Sequence, residues 1–89
     1  MHAVVIQVAI HDFESGRKML EERIVPTVKQ APGFVTGYWT RSEDDRGLSM
    51  VVVESEENAR AIADMIRNAP PDQGVTLESV DVREVVAHA

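Results

Sequence analysis

The chain reads as a single α+β domain with the element order βαββαβ, and two observations predict this. Apolar runs rich in Val, Ile and aromatic residues alternate with two stretches of helical periodicity, and Pro/Gly or acidic turns punctuate the boundaries. The length of 89 residues leaves room for one domain spanning 1–89.

The first strand is expected over Ala3 to Ile10, a nearly continuous apolar run broken only by Gln7. Asp12 stands in the N-cap position before Phe13 and Glu14, and Phe13, Leu20, Ile24 and Val28 recur at helical spacing as far as Gln30. Pro26 falls inside this helix and removes a backbone donor, so a kink or a second short helical piece is expected there. Ala31-Pro32-Gly33 ends it. Phe34 to Arg41 reads as the second strand, Ser42 to Gly47 as a polar turn, and Leu48 to Glu54 as the third strand, with its core at Val51-Val52-Val53. Ser55 caps a second helix whose apolar stripe is Ala59, Ile62, Ala63 and Ile66. Pro70 to Gly74 forms a loop, and Val75 to Ala87 reads as one long final strand.

Right-handed crossovers place both helices on one face of an antiparallel four-stranded sheet of order 4-1-3-2, a ferredoxin-like arrangement. The central strands carry apolar residues on both sides. Val4, Ile6, Val8 and Ile10 oppose Ala3, Val5 and Ala9, and Met50 and Val52 oppose Val51 and Val53. Helices cover one side only. The other would be an apolar patch of the kind monomers seldom expose, so a homodimer with its sheets packed face to face is expected. A domain this small also gains from the extra burial.

This pattern, with the Pro32-Gly33-Phe34 entry to the second strand and the acidic hairpin, resembles the dimeric α+β barrel superfamily, and within it the antibiotic-biosynthesis-monooxygenase-like branch. The resemblance covers the whole chain and implies the fold and the dimer. It also implies a range of activities: cofactor-free oxygenases of aromatic polyketides, haem-degrading enzymes, and proteins without known activity. The haem-degrading members use a histidine ligand and a tryptophan around the second helix and its following loop, and Asn58 to Gln73 contains neither. No cofactor is therefore expected.

Composition narrows the function classes. Cysteine is absent, which excludes disulfides, thiolate nucleophiles and cysteine metal sites. A formal net charge of −6 argues against nucleic acid as a partner. No apolar run approaches the ~20 residues of a membrane span, and the N-terminus does not read as a signal peptide, so a cytoplasmic setting is expected. His2, His11 and His88 are the only histidines. The expected topology brings His2 near His88, but no carboxylate has matching spacing, so no metal site is expected.

Four residues stand out as candidates for ligand binding. Gln7 is the one polar side chain in a central apolar strand, suited to a ligand carbonyl or to satisfying a neighbouring backbone group. Tyr38 and Trp39 are adjacent and so point to opposite faces; a ring there lines an aromatic pocket or simply packs. Arg41 shares the face of Trp39 and offers an anchor for an acidic group, or a solvated strand end. Two functions are consistent with this set. One is a cofactor-independent monooxygenase acting on a small aromatic or quinone-like molecule. The alternative is a non-catalytic dimeric module that binds a small apolar ligand or a partner protein.

Overall fold

The sheet is built from β1 (His2–Ile10), β2 (Phe34–Arg41), β3 (Arg46–Val53) and β4 (Val75–Glu84), in the order β2-β3-β1-β4 with every neighbouring pair antiparallel. This is the order 4-1-3-2 read from the opposite edge. The computed structural model describes residues 1–70 and 74–89, so part of the loop expected over Pro70 to Gly74 lies outside the described residues. None of its helices is long and apolar enough to cross a membrane.

The first helical segment has three parts. α1 (Phe13–Met19) starts where expected, with the Asp12 carboxylate accepting the Ser15 backbone N–H at 3.2 Å. A π-helical turn follows over Leu20–Ile24, in which the Val25 N–H reaches back five residues to the Leu20 carbonyl. α2 (Val25–Lys29) then completes the segment with Pro26 in its first turn. The irregularity falls one turn before Pro26 rather than at it. Proline has no N–H for the carbonyl four residues back and its ring crowds that carbonyl, so the preceding turn widens and Pro26 occupies a helix start, where its missing donor matters least.

Gly33 carries the chain into β2 with φ +75°, and a Cβ there would collide with the Asn58 side-chain amide. Its carbonyl accepts the Glu54 N–H at 2.9 Å, which ties this turn to the end of β3. α3 (Glu56–Arg67) is capped by Ser55, whose hydroxyl oxygen accepts the Asn58 N–H at 3.1 Å. In its first turn the Arg60 guanidinium, hydrogen-bonded at 2.8 Å, holds the Glu56 carboxyl below the usual carboxylate range.

Alternation along the strands sorts the side chains as the sequence predicts. Val4 and Ile6 of β1 and Val51 and Val53 of β3 bury against Val28 of α2 and Ala59, Ile62 and Ala63 of α3. Val8, Trp39, Val80 and Val82 pack around this core from the same side of the sheet. The expected burial of Ala3 and Val5 also holds, although both lie outside the helix-side core.

Two strand boundaries differ from expectation. β3 begins at Arg46, inside the expected turn, because the Arg46 N–H donates to the Ser42 hydroxyl oxygen at 3.1 Å and the Ser42 N–H donates to the Arg46 carbonyl at 2.8 Å, which closes the hairpin. β4 ends at Glu84 rather than Ala87. Glu84 pairs with His2, the first residue of β1, and the Val85 N–H bonds to the Met1 carbonyl at 3.0 Å.

Candidate ligand site on the helix-free face

The side of the sheet away from the helices carries Gln7 from β1, Tyr38 and Thr40 from β2, and Leu48, Met50 and Val52 from β3. Register places these together: Gln7 lies opposite Leu48, Tyr38 opposite Met50, and Thr40 opposite Leu48. Tyr38 is 65% exposed, Leu48 44% and Met50 39%, an unusual set of large apolar side chains to leave in water on one sheet face.

At one end of this face the surface dips into an open hollow of about 340 Å³. Gln7, Thr40, Leu48, Arg46 and Glu78 line it, with Arg41, Ser42 and Asp44 of the β2–β3 hairpin at its rim. A β-bulge builds part of it. Gln7 pairs with Ser79 and Val8 with Leu77, which leaves Glu78 as the extra residue in β4. The bulge turns the Glu78 carboxylate toward Arg46, two strands away, and the Arg46 Nη1 donates to both carboxylate oxygens at 2.7 Å. Gly47, between Arg46 and Leu48, lies on the opposite side of the sheet, where a Cβ would sit 2.7 Å from the Val8 Cγ2.

The hairpin is held by its own polar groups. Asp45 adopts φ 57°, a conformation that aspartate tolerates. Its carboxylate accepts from the Arg41 Nη2 at 2.9 Å and from Nε at 3.3 Å. The Ser42 hydroxyl donates to Asp44 and holds that carboxyl below the usual range. The Thr40 hydroxyl donates to the Leu48 carbonyl at 2.6 Å.

The four sequence-predicted candidates divide between the two sides. Gln7 and Tyr38 lie on the helix-free face, Gln7 lining the hollow and exposed to solvent. Trp39 lies on the helix side, half-buried against the core, with its ring over Gly37; a Cβ on Gly37 would sit 2.9 Å from the ring. Arg41, besides bonding Asp45, stacks its guanidinium 3.9 Å from the centroid of the Phe13 ring in α1. Gln7 and Trp39 therefore do not share a pocket. Arg46, Glu78 and Thr40 were missed because the hollow depends on a bulge and a cross-sheet ion pair. Single-sequence periodicity carries no signal for either.

The histidines do not converge on the hollow. His2 opens β1 with its Nδ1 buried and without a hydrogen-bond partner among the described residues. The His11 ring bonds to the Thr76 hydroxyl at 2.7 Å. Among the described residues no three His, Cys, Asp or Glu side chains group in a way that would hold a metal ion.

No family model matches the chain, and no curated protein does. Solved structures do. The haem degrader MhuD of Mycobacterium tuberculosis, solved with two haems in its active site, superposes with a TM-score of 0.68 at 21% identity, covering 100% of this chain and 99% of that one. A point variant of MhuD, solved with two manganese protoporphyrin IX molecules per active site, gives a TM-score of 0.66 at 20% identity, covering 100% and 98%. The chain thus shares its βαββαβ fold with MhuD.

Proposed function

We propose that the chain works as a homodimer whose sheets pack face to face through the helix-free side, and that each copy binds a small aromatic or quinone-like molecule there. The observation that carries this reading is the joint exposure of Tyr38, Leu48 and Met50 beside a polar-ended hollow. A planar ring gains by leaving water on such a surface, while Gln7 supplies an amide for a ring oxygen. A fold shared with a protein that holds large planar ligands supports the same reading. The protein would do this in the cytoplasm, without a cofactor, a metal or a nucleic-acid partner.

Binding without turnover fits the lining best. Among the described residues the hollow is lined by no histidine, cysteine or tyrosine to serve as base or nucleophile, and Asp44 and Glu78 are already engaged. The fold likeness to an enzyme favours a second reading, cofactor-independent monooxygenation. In that chemistry the substrate anion itself reduces oxygen, so the protein need only orient it and exclude water. Haem fits this chain poorly. α3 carries no histidine, and the three histidines of the chain stand at its two ends and after β1.

Calorimetric titration with 1,4-naphthoquinone tests the proposal. Saturable binding at one site per chain is expected, weakened in Gln7→Leu by the ~0.5–1.5 kcal/mol of one hydrogen bond. The single tryptophan adds a control, because Trp39 lies on the other side of the sheet. Saturable contact quenching of Trp39 would put the ligand between sheet and helices and overturn the assignment. Oxygen uptake with the bound quinol would select the second reading.

A further inference from the structure

We propose that Arg46, together with Gln7, forms an oxyanion subsite that selects ring-bearing ligands carrying an acidic oxygen, such as an aryl carboxylate or an enolised hydroxyquinone. This rests on the reading that the helix-free face binds a small ring-bearing molecule, and it specifies the chemistry of that ligand.

The argument is an accounting of donors and acceptors around the hollow. The Asp45 carboxylate is taken by Arg41, Asp44 by the Ser42 hydroxyl, and Glu78 by the Arg46 Nη1. The Thr40 hydroxyl is committed to the Leu48 carbonyl. The groups left over are the Nε and Nη2 of Arg46, the Nη1 of Arg41 and the side-chain amide of Gln7, none of which makes a hydrogen bond among the described residues. The surplus is thus mainly donors, most of them cationic, and the group that completes it is an acceptor oxygen bearing negative charge. A guanidinium with two adjacent free N–H groups matches the two oxygens of a carboxylate or the vicinal oxygens of a hydroxyquinone anion. Leu48 adjoins these donors in the lining of the hollow, which gives the ring a place to lie at the end of the face.

Glu78 sets the strength of this subsite. Its ion pair with Arg46 is partly solvent-exposed, at 57% for the arginine and 34% for the glutamate, and pairs open to water hold each other weakly. An incoming carboxylate competes with Glu78 for Arg46, so the glutamate tunes affinity downward. The net charge of −6 makes the attraction local, confined to this end of the face.

The test is calorimetry at low salt with 2-naphthoate and its neutral counterpart 2-naphthamide, on the full chain and on two variants whose fold is checked by circular dichroism. The wild-type protein should bind the carboxylate about tenfold more tightly than the amide, as expected for one charge-assisted hydrogen-bonding site. Arg46→Gln should erase that preference by lowering naphthoate affinity to the level of naphthamide. Glu78→Gln should move the other way and enlarge the preference, since it frees Arg46. A bridge that merely shapes the surface would weaken both ligands alike in both variants, and that outcome overturns the proposal. Equal binding of the two probes by the wild-type protein overturns the subsite alone and leaves the ring-binding reading standing. Saturable binding of neither probe removes both.

Discussion

Gln7 shows how much one side chain can report and where its information stops. An amide in an apolar strand marks a position with a purpose, because an amide left unpaired in a dry interior costs ~1–3 kcal/mol. Here the amide faces solvent at the lip of the hollow, so that penalty does not arise in a single chain. It would arise once a second copy or a ligand covered the face. Trp39 shows the opposite case. The alternation of Tyr38 and Trp39 was legible, but which of them met the helices was not. A period of two fixes only relative orientation, and the phase is set by what the helices bury. The packing of Trp39 on Gly37 makes a direct prediction. Gly37→Ala would place a methyl group 2.9 Å from the Trp39 Cη2 and 3.0 Å from Cζ3. Overpacking of this kind costs ~1–3 kcal/mol. Thermal unfolding should show a drop of several degrees in Tm and a changed tryptophan emission; an unaltered Tm would mean that the ring can move aside freely.

The elements themselves were legible because each has its own period and its own punctuation. Asp12 and Ser55 cap where cap residues should, and Phe34 to Arg41 is a strand from end to end. The departures have a common origin in pairing partners that a linear sequence does not display. β4 stops at Glu84, opposite the first residue of β1, and β3 starts early because Ser42 closes the hairpin on Arg46. The π-helical turn arises from Pro26 acting one turn upstream. The short tail after β4 carries a prediction. Val86, an apolar side chain in the segment after β4, is 88% exposed. In the proposed dimer this tail lies across the partner subunit. Removing residues 85–89 should raise the dimer dissociation constant while far-ultraviolet circular dichroism stays unchanged. A truncated chain that dimerises as tightly as the whole one would contradict that role.

At the scale of the whole molecule, the account depends on an asymmetry. One side of the sheet is closed by α2 and α3 over a core in which Val4, Val51, Val53, Ala59 and Ala63 have no solvent exposure. The other side presents Tyr38, Leu48 and Met50 to water, with a donor-rich hollow at one end. A chain of 89 residues has little core to spare, and covering the second side with an identical sheet would supply more. The most direct test is the solution mass by light scattering after size exclusion, for the wild-type chain and for Met50→Arg. The account predicts twice the 9.9 kDa chain mass for the wild type. It predicts the mass of one chain for Met50→Arg, with helix content retained, because a charge at the centre of the apolar face cannot be buried unpaired. A wild-type protein that runs as a monomer at micromolar concentration, or a Met50→Arg dimer as tight as the wild type, would contradict it.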